Sequence, residues 1–433
     1  MKINFFWFRR DLRLDDNTAL YHALKSKNPV QCIFIFDTEI LDKLENKKDG
    51  RVVFIHRQLE KINKELKKNG ASLLVKYGTS LEVWKNLCEE YEIDEVYTNH
   101  DYEPYAKHRD QMVSKILQEK NIALKTFKDQ VIFEKDEVTK SDGSPYTVFT
   151  PYMKRWRIHL DETSFKSYET EKYFHRFYQN TNNTVMPLSE IGFNDSQITF
   201  PKSEIENDIL HNYSHNRDIP SLNGTSHISV HLRFGTVSIR KLMQKALQSE
   251  KWMNELIWRE FYMMILWHFP KVVNAAFKES YNHLQWLHDE EGFNKWCEGK
   301  TGFPIVDAGM RELNATGFMH NRVRMITAMF LTKYLLIDWK WGEAYFAEKL
   351  LDFELSSNNG GWQWSAGTGV DAAPYFRIFS MEEQTKRFDP NFIYIKRWVP
   401  EFQELTYPKP IVDYKFARER CLQFYKKALS TKN

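Results

Sequence analysis

The chain has 433 residues, a formal net charge of +3 and aromatic side chains at 15% of its positions. This length predicts roughly two to three domains, and a charge this small does not by itself indicate a nucleic-acid partner, which would need a local basic patch. The longest apolar run, residues 261–269, is too short to span a bilayer, and the N-terminus lacks a signal-peptide pattern, so we expect no membrane partner. The cysteines form no C-x-x-C pair, which favours a reduced, cytoplasmic protein.

Residues 1–130 alternate between short apolar runs and helical patterns. The runs predict strands at Ile3–Phe8, Gln31–Phe36, Ser72–Val75, Glu95–Thr98 and Ala123–Phe127. The helical patterns lie between them at Thr18–Ser26, Arg51–Asn69, Leu81–Tyr91 and Tyr105–Glu119. This alternation predicts an α/β domain with a doubly wound, Rossmann-like parallel sheet.

The turn after the first predicted strand is charged rather than glycine-rich. It contains Arg9, Arg10, Asp11, Arg13, Asp15 and Asp16. The G-x-G-x-x-G fingerprint of dinucleotide-binding sheets is therefore missing, and standard binding of NAD or FAD by this sheet is not expected. The simplest interpretation of the turn is an ion-pair network.

Residues 131–204 predict a long connector that mixes aromatic side chains with polar runs. Its aromatic residues favour packing over a neighbouring domain. Residues 205–433 are helical in pattern almost throughout, which predicts an all-α second domain.

Hydroxyl side chains cluster in GTSHISVHLRFGTVSIR, residues 224–240. Thr225, Ser226 and Ser229 stand at the start of a helical pattern, where exposed backbone N–H groups bind phosphate. The same residue types are common as plain helix N-caps. The pattern therefore predicts either a phosphate site or a simple cap.

The segment ELIWREFY places an acid, a cation and aromatic rings on one helical face. An ordinary ion pair beside a core tryptophan would produce the same pattern. The residues that share this face are Glu255, Trp258, Arg259 and Tyr262.

In MHNRVRM, Asn321 and Met325 are four residues apart and share a helical face, whereas Arg322 is expected to point elsewhere. An amide beside a thioether could read the edge of a base, or it could be a buried cap beside a core methionine.

The stretch LLDFELSSNNGGWQWSAGTGVDAAPYFRIF, residues 350–379, combines acids, amides, glycines and tryptophans. Glycines let backbone approach a ligand closely, and paired tryptophans suit stacking. The stretch predicts a site for a flat heterocycle, with a glycine-rich turn capped by core tryptophans as the alternative. No metal site is expected, because the histidine pairs at helical spacing lack a third ligand or a catalytic Glu.

Taken in order, these motifs resemble the DNA photolyase/cryptochrome family, and most closely the class I photolyases that repair cyclobutane pyrimidine dimers. The resemblance covers nearly the whole chain, from FWFRRDLRLDDNTAL at residues 6–20 to NNGGWQWSAGTGVDAAPYFRIF at residues 358–379. It implies an antenna-type α/β domain over 1–130, a connector over 131–204, and a helical domain over 205–433 that holds FAD.

The resemblance also implies an FAD site. Its residues would be Tyr213, Thr225, Ser226, His227, Ile228, Ser229, Trp252, Glu255, Arg259, Arg324, Asp352, Glu354 and Asn358. Thr225–Ser229 would hold the pyrophosphate and Asn358 would face flavin N5. Arg324 and Asp352 would form an ion pair at the isoalloxazine edge, where it would stabilise a reduced, anionic ring. Glu354 departs from the family, which usually has Asp there.

Three further groups follow from the same resemblance. The dimer pocket, with its catalytic residues, would be lined by Glu255, Asn321, Met325, Trp258 and Trp364. DNA phosphates would be contacted by Arg217, Arg322 and Arg377. Electrons would pass between the flavin and the surface through Trp362, Trp339 and Trp286.

The implied reaction is driven by blue light. Reduced FAD gives one electron to a pyrimidine dimer flipped out of DNA, the cyclobutane ring splits, and the electron returns. Glu255 is expected to hydrogen-bond the thymine carbonyl region. Photolyases for six-four lesions carry two histidines where this chain has Asn321 and Met325, which cannot deliver a proton near neutral pH as histidine does. Dimer repair is therefore favoured.

Two questions stay open at this level. Folate-binding photolyases have Asn-Glu where this chain has Tyr105-Ala106, and DYEPYAKHRD resembles deazaflavin-type relatives, so the antenna could be a folate, a deazaflavin, another flavin or none. The alternative function is a cryptochrome-like photoreceptor, which the short C-terminus and Asn358 disfavour. A DNA-binding module without turnover would leave the FAD site unexplained. We expect a monomer that binds dimer-containing DNA.

Overall fold

The computed structural model describes residues 1–430. Contacts group the chain into two compact units, and neither unit is a continuous stretch of sequence. Unit 1 comprises residues 1–137, 159–204 and 227–247, and unit 2 comprises residues 138–158, 205–226 and the chain from 248 onward. The domain boundaries expected from the sequence, at residues 130 and 204, differ from these. The expected connector is shared between the two units, and residues 227–247 group with unit 1.

Unit 1 is built on five parallel strands in the order β3-β2-β1-β4-β5. The strands are β1 (Ile3–Phe8), β2 (Val30–Asp37), β3 (Leu74–Gly78), β4 (Ile93–Asn99) and β5 (Ala123–Phe127). Every residue of β1 and β2 is buried, which explains why these strands are mostly apolar rather than alternating in polarity. The predicted doubly wound parallel sheet is confirmed.

Unit 1 also contains α-helices, some of which begin at a capping signal of the sequence. They are α1 (Thr18–Lys25), α2 (Thr38–Leu41), α3 (Gly50–Lys68), α4 (Ser80–Glu90), α5 (Pro104–Glu119), α8 (Ser229–Phe234) and α9 (Ile239–Ala246). Glu82 N–H donates to Thr79 Oγ1 at 3.3 Å at the start of α4, as a capping box requires. Pro104 is the first residue of α5, where its missing N–H costs no hydrogen bond.

The charged turn after β1 forms a buried ion-pair network within unit 1. Arg13 Nη2 lies 2.6 Å from Asp129 Oδ2, and Arg240 bridges Asp129 and Asp16 at 2.8 and 2.9 Å. Burial raises the pKa of Asp129, but the charges of Arg13 and Arg240 outweigh it and bring that pKa to about 2. The predicted ion-pair network is confirmed, and these side chains are committed to one another.

Within the described residues, the regular elements of unit 2 are helices and no β-strand is formed, as predicted. Its helices are α6 (Phe149–His159), α7 (Asn207–Asn216), α10 (Glu250–His268), α11 (Glu290–Glu298), α12 (Pro304–Thr316), α13 (Asn321–Met329), α14 (Trp339–Lys349), α15 (Leu355–Ala366), α16 (Met381–Phe388), α17 (Ile393–Trp398) and α18 (Tyr414–Ser430). A π turn at Phe330–Tyr334 separates α13 from α14. Trp296, Trp339 and Trp362 belong to one buried core cluster of this unit.

Candidate active site

Helix α10 carries the four side chains that were predicted to share a face. Together they contact three other segments of unit 2, so α10 is the element on which the candidate site is assembled. The pairs are Glu255 with Arg217, Trp258 with Phe149, Arg259 with Glu354, and Tyr262 with Gly360.

Arg217 and Glu255 form an ion pair between the C-terminal end of α7 and α10. The Arg217 guanidinium also lies 5.4 Å from the centroid of the Tyr213 ring. Burial raises the pKa of Glu255, and the charge of Arg217 opposes that rise. The protonation of Glu255 therefore depends on whether Arg217 stays beside it.

Helix α13 presents Asn321 and Met325 on one face, as predicted, with Asn321 Nδ2 4.0 Å from Met325 Sδ. The expectation that Arg322 points elsewhere is wrong, because Arg322 Nη1 lies 3.9 Å from the same sulfur. The Arg322 side chain folds back along the helix because Asp218 holds its Nη2 at 2.8 Å. The guanidinium also lies 4.3 Å from the centroid of the Phe388 ring. This cation therefore borders the amide–thioether pair.

The predicted ion pair between Arg324 and Asp352 is present, with Arg324 Nη2 2.9 Å from Asp352 Oδ2. Arg324 Nε donates to Met319 O at 2.7 Å, so the guanidinium is held from both sides. A pair fixed in this way places a cation and an anion side by side without a bare buried charge.

Glu354 stands immediately before α15 and is buried, and its Oε2 lies 3.4 Å from Arg259 Nε. The extra methylene of Glu relative to Asp thus still brings the carboxylate to the arginine on α10. The two predicted cofactor residues are partners of each other in this structure.

Asn358 is oriented by Glu343. Its Nδ2 donates to Glu343 Oε1 at 2.8 Å and to Glu343 O at 3.0 Å. Both amide hydrogens are therefore used within the protein, which leaves the carbonyl oxygen of Asn358 as the free end of the amide. Burial raises the pKa of Glu343, and the hydrogen bond from Asn358 opposes the rise.

One stripe of α15 is open. Asn358, Gly361 and Trp364 are three residues apart and are all partly exposed, whereas Trp362 and Gln363 between them are buried. A Cβ built on Gly361 would meet no atom within 4 Å. The Asn358 carbonyl, the Gly361 backbone without a side chain and the Trp364 indole thus border an open space that a flat ring can enter.

The predicted pyrophosphate segment is divided between the units. Thr225 and Ser226 group with unit 2, where Trp252 Nε1 donates to Ser226 Oγ at 3.2 Å. In unit 1, Ser229 is the first residue of α8, preceded by His227 and the buried Ile228. His227 has a φ of +49°, in the left-handed region that non-glycine residues seldom adopt.

The three predicted relay tryptophans lie along connected segments of unit 2. The Trp362 indole packs on Gly342 of α14, the helix that Trp339 begins, since a Cβ at Gly342 would overlap that ring. Trp286 precedes Leu287, whose N–H donates to Leu336 O at 2.8 Å, two residues before the Asp338 cap of α14. Trp286 is partly exposed, as the surface end of a relay requires.

Of the remaining predicted phosphate contacts, Arg377 is exposed after α15, with its backbone N–H donating to Pro374 O at 2.8 Å. Over residues 1–430 the structure contains no helix with the length and apolar content needed to cross a membrane. Within the same residues no cluster of three or more His, Cys, Asp and Glu side chains is placed to hold a metal ion.

The residues of unit 2 fit FAD. Hydroxyls and guanidinium groups suit the phosphates and the ring edge, Asn358 offers a carbonyl oxygen, and the open step at Gly361 gives a flat ring room beside α15. The acids in this set are paired with arginines, so no bare carboxylate repels an anionic ring. This donor set is therefore compatible with the isoalloxazine and its pyrophosphate.

Sequence reasoning missed three residues that shape this site. Phe149 covers one face of Trp258, Glu343 orients Asn358, and Trp296 lies 5.9 Å from Trp362 between ring centroids. Phe149 was grouped with connector aromatics that favour packing, and nothing local distinguishes Trp296 from the other tryptophans. Glu343 gave no signal, because a single acid on a helix most often faces solvent.

Comparisons with known proteins agree with these features. The family model described as DNA photolyase matches residues 4–170, and the model described as the FAD-binding domain of DNA photolyase matches residues 252–406. A deoxyribodipyrimidine photo-lyase from Alkalihalophilus pseudofirmus is 36% identical, with 97% of each chain covered. These matches confirm, at the level of the family, the predicted FAD-binding photolyase.

Two solved structures are similar over nearly the whole chain. A bacterial class III photolyase from Agrobacterium tumefaciens is 30% identical with a TM-score of 0.89, covering 100% of this chain and 98% of that one. An archaeal photolyase from Sulfolobus tokodaii with two FAD molecules is 32% identical with a TM-score of 0.81, covering 98% and 99%. On this fold, these site residues and these relatives, the chain belongs to the DNA photolyase family.

Proposed function

We propose that this chain is a deoxyribodipyrimidine photo-lyase that repairs cyclobutane pyrimidine dimers in DNA under blue light. The observation that carries the proposal is the open stripe of α15, where the Asn358 carbonyl, Gly361 and Trp364 border room for a flat ring. The relatives that bear this enzyme name match the chain from end to end, and they give a cryptochrome-like photoreceptor no better support.

FAD is the cofactor, and when bound in its reduced form it supplies the light-driven electron that opens the cyclobutane ring. Arg324, held in place by Asp352, would bind the ring edge and offset negative charge there. Glu343 holds the Asn358 amide so that its carbonyl oxygen faces the cofactor. Thr225, Ser226, Tyr213 and Trp252, all in unit 2, complete the cofactor site in this proposal.

The dimer pocket is formed by α10, α13 and α15. Trp258 and Trp364 stack on the flipped-out bases, and Asn321 and Met325 contact a base edge. Glu255 hydrogen-bonds a thymine carbonyl, for which its carboxyl group must be protonated, because a carboxylate only accepts hydrogen bonds.

Arg217, Arg322 and Arg377 bind DNA phosphates in this proposal. Arg377 is exposed, whereas Arg217 and Arg322 are paired with acids, which can release them when a phosphate offers a stronger partner. Trp362, Trp339 and Trp286 pass electrons inward from the surface to restore reduced FAD. We also propose that the protein is a monomer in the cytoplasm, which size-exclusion chromatography with light scattering and cell fractionation would test.

A second, antenna chromophore of the folate or deazaflavin type is part of the proposal, and its class is left open. Tyr105, which stands where folate-binding relatives have Asn, donates its hydroxyl to Asp37 at 2.6 Å and is thus engaged within unit 1. Chromatography of the chromophores released from purified protein would identify any second compound.

The test of the proposed function is loss of dimers from ultraviolet-irradiated oligo(dT) with dithionite-reduced, FAD-loaded protein. We expect loss in blue light and none in the dark. An oligonucleotide with a six-four lesion is the matched control, and we expect it to remain unrepaired because Asn321 and Met325 replace the two histidines. Dimers that persist under blue light with bound, reduced FAD would contradict the proposal and favour a photoreceptor.

A further inference from the structure

The ring of Phe149 lies flat on the indole of Trp258. Their ring centroids are 3.6 Å apart and their planes differ by 6°. Phe149 is buried, at 8% exposure, whereas Trp258 is partly exposed. One face of this indole is therefore covered by a protein ring at stacking distance.

Phe149 cannot easily move away from Trp258, because helix α6 is held by hydrogen bonds at both of its ends. Trp156 Nε1 donates to Glu260 Oε2 at 2.6 Å, and Arg157 Nη2 donates to Asn254 Oδ1 at 2.9 Å. At the other end of the helix, the Phe149 N–H donates to Asp371 Oδ2 at 3.1 Å. Between these points, the buried Tyr152 ring packs against the Phe261 ring of α10.

The other aromatic neighbours of Trp258 do not bury it completely, since its side chain stays partly exposed. Phe261 meets the indole edge-on, at 83° and 5.6 Å, and Tyr262 is tilted at 33° and 5.5 Å. An indole that is covered on one face by a stacked ring and is still partly exposed can serve as a stacking platform. Such a platform suits a flat heterocycle, because aromatic faces stack on one another at this spacing.

We propose that Phe149 is a positioning residue that sets the tilt of Trp258 for the flipped-out pyrimidine dimer. This inference rests on the proposed function and adds to it a specificity determinant in the connector helix. A thymine dimer stacks on the exposed side of the Trp258 indole, and Phe149 keeps the indole from shifting away from the dimer. Bases that remain in the duplex do not reach the platform, so Phe149 acts on damaged DNA alone.

The experiment compares the affinity of FAD-loaded variants for one oligonucleotide with a single thymine dimer and for the same oligonucleotide undamaged. Phe149→Leu and Phe149→Met keep apolar volume but remove the flat ring. We expect each to bind the damaged strand roughly three- to ten-fold more weakly, the effect of losing one aromatic stack, with unchanged affinity for the undamaged strand. Phe149→Tyr keeps the ring, and we expect it to keep the wild-type ratio.

The matched control is Tyr152→Leu, which removes a buried ring from the same helix. Tyr152 contacts Phe261 at 5.3 Å, and we expect this variant to lose stability but to keep the wild-type ratio of affinities. A folded Phe149→Leu or Phe149→Met protein with the wild-type ratio would overturn the inference, as would an equal loss in Tyr152→Leu. A wild-type protein with no preference for the damaged strand would instead overturn the proposed function, and the inference with it.

Discussion

Arg217 and Glu255 are bound to each other in an ion pair, although the two residues are proposed to contact different parts of the substrate, a phosphate and a base. Each of these contacts competes with the ion pair for the same two side chains. We expect binding of a dimer to open the pair, and the opening would leave the Glu255 carboxyl without the charge that opposes the effect of burial.

We expect dimer binding to take up a proton at Glu255. Burial raises the pKa of Glu255, Arg217 and Lys251 lower it, and Asp218 raises it, so loss of Arg217 raises it further. A group whose pKa is higher in the complex makes affinity fall as pH rises through that pKa. Calorimetry in buffers of different ionisation enthalpy measures the uptake.

Two variants calibrate this prediction. The Glu255→Gln variant has no titratable group at this position, so its binding of the dimer should neither release nor take up a proton there. Arg217→Gln raises the pKa of Glu255 before DNA arrives, so its uptake should be smaller than that of the wild type. Equal uptake in Glu255→Gln and in the wild type would assign the proton to another group.

The relay proposal predicts a separation of two activities. We expect Trp286→Phe to block photoreduction of oxidised FAD but to leave repair by pre-reduced enzyme unchanged, because the dimer takes its electron from the cofactor and not from the relay. Trp341→Phe is the matched control, since Trp341 is also a partly buried tryptophan and packs against Phe293 at 5.2 Å. Steady illumination followed by absorption spectra measures photoreduction. Normal photoreduction in Trp286→Phe would remove this residue from the relay.

The buried network around Asp129 predicts acid sensitivity of unit 1. The pKa of Asp129 is about 2, below the ordinary value near 3.8. The ionised carboxylate therefore stabilises the fold fully above that ordinary value, and this stabilisation is lost as pH falls from about 4 to about 2. The loss should amount to about 2 kcal/mol. Urea unfolding followed between pH 5 and pH 2 measures it. Asp129→Asn should be less stable at pH 6 and should show a flatter pH profile, and an unchanged profile would contradict the assignment.

Lys333, in the π turn, predicts the opposite dependence on pH. Burial lowers its pKa to about 8, and the ammonium has the Tyr375 carbonyl at 3.1 Å and the Tyr425 ring centroid at 4.0 Å as partners. Because the unfolded chain binds this proton more tightly, stability should rise as pH increases from about 8 to about 10.

Lys333→Met should therefore raise the free energy of unfolding at pH 7 by about 1 kcal/mol, since it removes a buried charge at the cost of one hydrogen bond and a cation–π contact. It should also abolish the rise in stability above pH 8. Lys340→Met, at an exposed position near the start of α14, is the control and should change little. A loss of stability in Lys333→Met would show that the partners of the ammonium outweigh its burial.

The sequence predicted well what local pattern encodes. The strands were recognisable because a strand buried on both faces is mostly apolar, as β1 is. The shared face of Asn321 and Met325 followed from helical spacing alone. The ion pair of Arg324 and Asp352 followed from family resemblance.

What the sequence did not reveal depends on contacts between distant segments. No periodicity links Phe149 to Trp258, or Glu343 to Asn358, because each pair is made by helices that meet only in the folded unit. The direction of Arg322 was mispredicted for the same reason, since a long side chain follows its partner, Asp218, rather than its helical angle. The residues 227–247 group with unit 1 through pairs such as Arg240 with Asp16.

The ion pair of Arg240 with Asp16 has a consequence for folding during synthesis. A ribosome delivers Asp16 and Asp129 early, but Arg240 emerges only 111 residues after Asp129. Until then Arg13 is the one arginine of this network that has been made, and its ion pair is with Asp129. The sheet at the start of the chain is thus finished by a segment synthesised much later, and a fragment that ends at the expected first boundary, residue 130, lacks the cation that completes its interior.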